Sequence, residues 1–208
     1  MLKCIVFDFD GTLVLSNDIK RQGFYFATQE IPDSQAIVGK LLESINGDRN
    51  EILLQFSSLT NADPCKLIKK YNSWVAAQIL RAPSRTGSDT LLLRLKQLNL
   101  KLYINSATPI GNLRPIIRQR YEKNLFSGVF GNFGDKSLNL DLIMKAERCS
   151  AKQVVVIGDG VDDYEAAERT GCHWFAVESA SLQAAYPDMS CVSNLMDICE
   201  SVEKLSVV

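Results

Sequence analysis

The segment Phe7-Asp8-Phe9-Asp10-Gly11-Thr12-Leu13 carries two carboxylates two residues apart, at the end of a short apolar run and just before a Gly-Thr turn. The run Cys4-Ile5-Val6-Phe7 reads as a buried strand: short, rich in β-propensity and closed by a turn signal. Side chains two apart on a strand point the same way. Asp8 and Asp10 therefore emerge close together where strand gives way to loop. Carboxylates held that close repel, and one is driven toward its neutral form unless a cation neutralises the pair. The chemistry on offer is a metal site, an acid–nucleophile pair, or both.

Three further polar clusters follow predicted strands: Ser106 in Ile104-Asn105-Ser106-Ala107-Thr108, Lys136, and Gly158-Asp159-Gly160-Val161-Asp162-Asp163. In an open parallel sheet the C-terminal strand ends form the ligand crevice, so all four clusters can face one cleft. Together they compose a phosphoryl-transfer site. Asp8 can attack phosphorus and form an aspartyl-phosphate. Mg²⁺ held by Asp8, Asp159 and a backbone carbonyl near Asp10 would let an anion attack an anionic ester. Ser106 offers a hydroxyl donor to a phosphoryl oxygen, and Lys136 a compact positive charge. Asp10 can protonate the leaving oxygen and then take a proton from the hydrolytic water. Singly, Ser106 reads as a capping hydroxyl and Lys136 as a solvated lysine. The ordered conjunction, each member at a strand exit, is what points to function.

Other chemistries lack their residues. There is no P-loop, and Asp163 stands where a dinucleotide fingerprint needs its third glycine. The acidic loop lacks the glycine and closing glutamate of an EF-hand. The one histidine, His173, lies in the apolar stretch Cys172-His173-Trp174-Phe175 and reads as a structural residue; no Gly-x-Ser-x-Gly elbow accompanies it.

The elements that must position these groups come from a chain of 208 residues, 46% hydrophobic and of net charge −1. No basic tract offers a nucleic-acid footprint, and no apolar run approaches the roughly 20 residues of a membrane helix. The N-terminus lacks signal-peptide features, and the six cysteines form no Cys-x-x-Cys pair, which fits reduced thiols. The expected setting is the cytoplasm, with a monomer or homodimer.

After the first strand, residues 3–8, comes a helical block. Helices are predicted from Asn17 to Glu30, from an Asp33 cap to about Ile45, from the near-capping-box Asp48-Arg49-Asn50-Glu51, and from the Asp63-Pro64 start signal. Leu67, Ile68, Tyr71, Trp74, Val75 and Ile79 form a core stripe on the last. Beyond Gly87 helices and strands alternate: helix 89–98, strand 102–104, helix 109–124, strand 129–130, helix 138–148, strand 154–157, helix 161–170 and strand 174–177. This grammar predicts an α/β fold, a parallel sheet covered by helices on both faces. Residues 17–84 then form an inserted helical cap domain, and 1–16 with 85–208 the core.

These residues resemble the haloacid dehalogenase superfamily of hydrolases. Asp8-Phe9-Asp10-Gly11-Thr12-Leu13 matches its first motif without gaps, Ser106 the second, Lys136 the third, and Asp159 with Asp163 the fourth. The resemblance implies a Rossmann-like core and Mg²⁺-dependent phosphatase chemistry, with Asp8, Asp10, Asp159 and Asp163 as metal residues. Thr12, Ser106, Ala107 and Lys136 are the expected substrate-binding set. The insert is similar to the cap of phosphoglycolate phosphatase and β-phosphoglucomutase relatives. Asp10 favours phosphate esters over haloacids, whose enzymes lack that acid. Leu15 and Ser137 depart from the pattern of many capped relatives, which leaves the small-metabolite substrate to be set by the cap. There Arg49 is the candidate for a substrate carboxylate or distal phosphate. A phosphomutase on the same scaffold and a non-enzymatic phospho-receiver are the alternatives.

Overall fold

A computed structural model describes residues 1–44, 49–132 and 135–207. The chain divides into two compact units, Met1–Leu15 with Pro83–Val208, and Ser16–Ala82.

In the first unit six parallel strands form one sheet: β1 (Cys4–Phe7), β2 (Lys101–Asn105), β3 (Gly128–Phe130), β4 (Val154–Gly158), β5 (His173–Val177) and β6 (Cys191–Val192). Their spatial order is β3-β2-β1-β4-β5-β6, the doubly wound order of Rossmann-type sheets. β1 pairs with β2 on one side and β4 on the other, Phe7 lying opposite Ile104 and Ile157. The winding reverses at β1, so the C-terminal ends of β1 and β4 open the crevice.

Burial on both faces explains the unbroken apolar strands. Cys4, Val6, Val154 and Val156 pack with Leu140, Ile143, Ala166 and Ala167. The oppositely directed Ile5, Phe7, Val155 and Ile157 are also solvent-free. The helices of this unit are α5 (Ser88–Gln97), α6 (Ile110–Arg120), α7 (Lys136–Glu147), α8 (Val161–Thr170), α9 (Ala180–Ala185) and α10 (Cys199–Val207). Gly171 ends α8 in the left-handed conformation, φ 73°. His173 is half-buried on β5, its Nε2 3.2 Å from the Lys152 carbonyl.

The second unit holds α1 (Asn17–Thr28), α2 (Ser34–Ser44), α3 (Arg49–Thr60) and α4 (Pro64–Ile79), with no strand among its described residues. The Asp63 carboxylate caps α4 by accepting from the Cys65 and Lys66 amides at 2.9 and 3.3 Å. Leu67, Tyr71, Val75 and Ile79 are buried, while Ile68 and Trp74 are half-buried. Phe24 lies 4.7 Å from Tyr71 and Phe26 stacks on Trp74 at 5.1 Å, joining α1 to α4. The predicted cap at Asp48 and the helix end at Ile45 fall outside the described residues.

Several boundaries differ from the sequence reading. Asp33 takes a left-handed backbone, φ 57°, just before α2. Helix α6 stops at Arg120 rather than near 124, because Tyr121 turns extended and sets its ring edge-on to Phe126 at 5.2 Å. Helix α7 starts at Lys136, two residues before the predicted 138. α9, β6 and α10 follow the last predicted strand. Two-residue β6 earns its place only by pairing, Ala176 to Cys191 and Val177 to Val192. No helix among the described residues is long and apolar enough to cross a membrane.

Candidate active site

The site lies at the C-terminal strand ends of the first unit. Asp8 directly follows β1, and its amide donates to the Ile157 carbonyl at 2.9 Å, extending the ladder past the strand. Asp159 directly follows β4. Asp163 sits in the first turn of α8, where its Oδ2 accepts from the Gly160 amide at 3.1 Å. A carboxylate is favoured there by the exposed amides of the helix start. A Cβ on Gly158 would lie 2.5 Å from Asp163 Cγ, so only glycine admits the aspartate at that place.

One oxygen each from Asp8, Asp159 and Asp163 lies within 4.8 Å of the others, and all three residues are buried. Lys136 enters the same cluster. Its Nζ lies 3.1 Å from Asp8 Oδ1, 2.7 Å from Asp163 Oδ1 and 3.0 Å from Asp162 Oδ2. Burial pushes the Lys136 ammonium toward neutrality, but Asp163, Asp8 and Asp162 outweigh it and hold its pKa well above the ordinary value. Burial drives the Asp163 carboxyl well above its usual range; Asp8 and Asp162 add to this and Lys136 opposes it. The site is therefore short of positive charge. Four carboxylates, Asp8, Asp159, Asp162 and Asp163, surround one ammonium, an excess of negative charge that a divalent cation would relieve.

Lys136 is held from its backbone as well. Asp135 caps α7 by accepting from the Ser137 amide at 2.9 Å. Asn105 Nδ2 donates to the Lys136 carbonyl at 3.0 Å, and Asn139 Nδ2 donates to Asn105 Oδ1 at 2.9 Å. This buried relay fastens the first turn of α7 to the exit of β2.

Of the four aspartates expected to serve a metal, the cluster joins Asp8, Asp159 and Asp163 and omits the Asp10 side chain. The Asp10 carboxylate turns to the β2 exit instead. Its Oδ2 accepts from Thr108 Oγ1 at 2.7 Å and, at a longer 3.5 Å, from Ser106 Oγ. The reason is local: the Gly11 amide bonds back to the Val14 carbonyl at 2.7 Å, curling the chain directly after Asp10. Thr12 is solvent-free, and its hydroxyl donates to Asp159 Oδ1 at 2.7 Å. Its place is against a cluster carboxylate. Ser106, Ala107 and Lys136 line a cavity of about 240 Å³, together with Asn139, Asp162 and Arg169.

Arg49 belongs to the other unit, where its Nη1 donates to Asn72 Oδ1 at 3.2 Å and its guanidinium lies 6.0 Å from the Tyr71 ring centre. Thr108, Asn105 and Asn139 were not singled out from the sequence. Thr108 carried a usable signal, standing two residues past Ser106 at the same strand exit. Asn139 carried none, since an asparagine inside a helix has no distinguishing pattern.

The family model for haloacid dehalogenase-like hydrolases matches residues 2–171. The chain belongs to this family. No curated protein matches it in sequence. Among solved structures, it is similar to a phosphoglycolate phosphatase predicted for Haemophilus somnus 129PT, with TM-score 0.76 at 17% identity, covering 97% of this chain and 98% of that one. A β-phosphoglucomutase from Clostridium difficile superposes with TM-score 0.72 at 15% identity, over 100% and 98% of the two chains. A magnesium-bound structure of YfnB from Bacillus subtilis gives TM-score 0.71 at 16% identity, over 97% and 99%.

Proposed function

We propose that the chain is a cytoplasmic Mg²⁺-dependent phosphatase that hydrolyses a small-metabolite phosphate monoester through an aspartyl-phosphate on Asp8. The observation that carries this reading is the buried convergence of Asp8, Asp159 and Asp163 around one point, with Lys136 bound to two of them. The donor set suits Mg²⁺: hard carboxylate oxygens, no sulfur or imidazole, and an uncompensated negative charge. Asp8, Asp159 and Asp163 would hold the ion, which when bound supplies charge neutralisation and orientation of the phosphoryl oxygens.

The remaining steps fall to this chain's own groups. An oxygen of Asp8 attacks phosphorus as the ester oxygen departs, forming the Asp8–phosphate bond and breaking the ester bond. Asp10 gives the leaving oxygen its proton and then takes one from the water that cleaves the acyl phosphate. The Thr108 hydroxyl keeps Asp10 aimed between these two events. Ser106 and Lys136 bind the phosphoryl oxygens by hydrogen bond and charge.

The test is phosphate release from a panel of esters, including phosphoglycolate, sugar phosphates, nucleotides and an aryl phosphate, with MgCl₂ and with EDTA. Mg²⁺-dependent release from at least one small ester is the expected result. No release from any of them would sink the reading. Interconversion of sugar-phosphate isomers without release would assign a phosphomutase instead.

Thr12 provides a separate check on the metal. Thr12→Val keeps the shape and removes the hydroxyl that orients Asp159. Mg²⁺ affinity, measured by calorimetry without substrate, is expected to weaken about tenfold, as for other lost partners of a ligating carboxylate. Unchanged affinity would detach Thr12 from the metal site.

A further inference from the structure

Arg85 is a half-buried cation that the chemistry above does not use. It stands two residues after the boundary at Pro83, and its backbone is tied to the loop that follows β1. The Arg85 amide donates to the Leu13 carbonyl at 3.0 Å, and the Leu15 amide to the Pro83 carbonyl at 3.0 Å. Its guanidinium reaches further. Nε and Nη2 both donate to the Gly11 carbonyl, at 2.9 and 2.5 Å, and Nη2 also lies 3.2 Å from the Glu178 carbonyl. Gly11 holds φ 85°, a left-handed conformation that glycine adopts without a Cβ penalty.

The two carbonyls share a neighbour. Thr12, next to Gly11, donates to Asp159 Oδ1 at 2.7 Å. Ser179, next to Glu178, donates to the Asp159 backbone carbonyl at 2.5 Å. One guanidinium thus joins the exit loops of β1 and β5, and each loop grips Asp159 through the next residue along. We propose that Arg85 is a positioning residue that fixes Asp159 for the divalent cation by clamping these loops together. The planar fork is what permits this; a lysine ammonium on its flexible stem reproduces only part of the geometry.

The sign of the effect separates positioning from simple charge. Burial lowers the pKa of Arg85, while Asp159 and then Glu178 raise it, so the guanidinium is within electrostatic reach of the metal-binding carboxylate. A charge effect alone would make Arg85→Ala bind Mg²⁺ more tightly, because a repelling cation has gone. Loss of positioning makes the same variant bind Mg²⁺ more weakly, by about tenfold.

The inference rests on the phosphatase reading. Its primary test, calorimetric titration of the full chain with MgCl₂ alone, does not depend on turnover. Weaker Mg²⁺ binding by folded Arg85→Ala, with a smaller loss in Arg85→Lys, is expected. On an ester that the wild type hydrolyses, kcat should fall roughly tenfold to a hundredfold at saturating Mg²⁺ while KM stays near its wild-type value. Equal or tighter Mg²⁺ binding by either folded variant would overturn the proposal. Should Arg85→Ala fail to fold, Arg85→Lys alone decides it in the same way. Absence of wild-type turnover would count against the phosphatase reading, and the calorimetric result would still decide the role of Arg85.

Discussion

Asp8→Asn is expected to abolish phosphate release, lowering kcat by at least about 10⁴-fold, and to leave the fold no less stable. The amide keeps the shape of the side chain but offers no anionic oxygen to attack phosphorus. Stability should hold because the cluster carries too much negative charge. Burial, with the Asp8 charge adding to it, holds the Asp163 carboxyl far above its usual range. Removing the Asp8 charge relieves that repulsion. Lys136 keeps Asp163 at 2.7 Å and Asp162 at 3.0 Å. Phosphate release and thermal melting, measured on one preparation, check both halves. Near-normal turnover would show that another group is the nucleophile. A lowered melting temperature would show that the Lys136–Asp8 pair matters more to the fold than the repulsion does.

Lys136→Met should have the second largest effect, and on two observables at once. The methionine fills most of the lysine stem's volume but leaves Asp8 and Asp163, whose side chains are 7% and 2% exposed, without their ammonium. Removing one partner from a buried ion cluster costs about 3–5 kcal/mol. Loss of a preorganised charge at the phosphoryl oxygens costs about 10²–10³ in kcat. The two losses respond differently to metal. On the proposed reading Mg²⁺ binds the same carboxylates and only the folded chain presents them together, so added MgCl₂ should raise stability by mass action. The increment should be larger in the variant than in the wild type, because the variant has more charge to neutralise. Kinetics should recover far less, since a cation among Asp8, Asp159 and Asp163 does not replace an ammonium directed at substrate. Urea unfolding with and without MgCl₂ measures the first effect. A variant as stable as wild type in EDTA would refute the view that Lys136 balances the cluster.

The first motif, the strand-exit positions of Ser106 and Asp159, and the alternation of helices with strands were legible because each rests on local grammar. A short β-branched run closed by a turn reads as a buried strand whatever surrounds it. The Asp63-Pro64 start is equally local, and the carboxylate does cap α4. Elements after Val177 were not legible. A two-residue strand such as β6 has no periodicity of its own, and it exists only because β5 offers an unpaired edge. Arg85 escaped for a related reason. Its acceptors are backbone carbonyls 74 and 93 residues away, and carbonyls leave no mark in a sequence.

The sequence by itself determined the fold class and which carboxylates stand at strand exits, since both follow from residue order and short-range pattern. It also paired Asp8 with Asp10, because alternate strand residues share a side. Only the tertiary structure separated that pair. Pairing of β1 with β4 carries Asp8 to Asp159 and Asp163, while the curl at Gly11 and the hydroxyl of Thr108 turn Asp10 toward the β2 exit. The division depends on the local curl at Gly11 together with contacts between residues about a hundred positions or more apart. With the sheet closed, the Asp8 carboxylate lies in the cluster and the Asp10 carboxylate outside it.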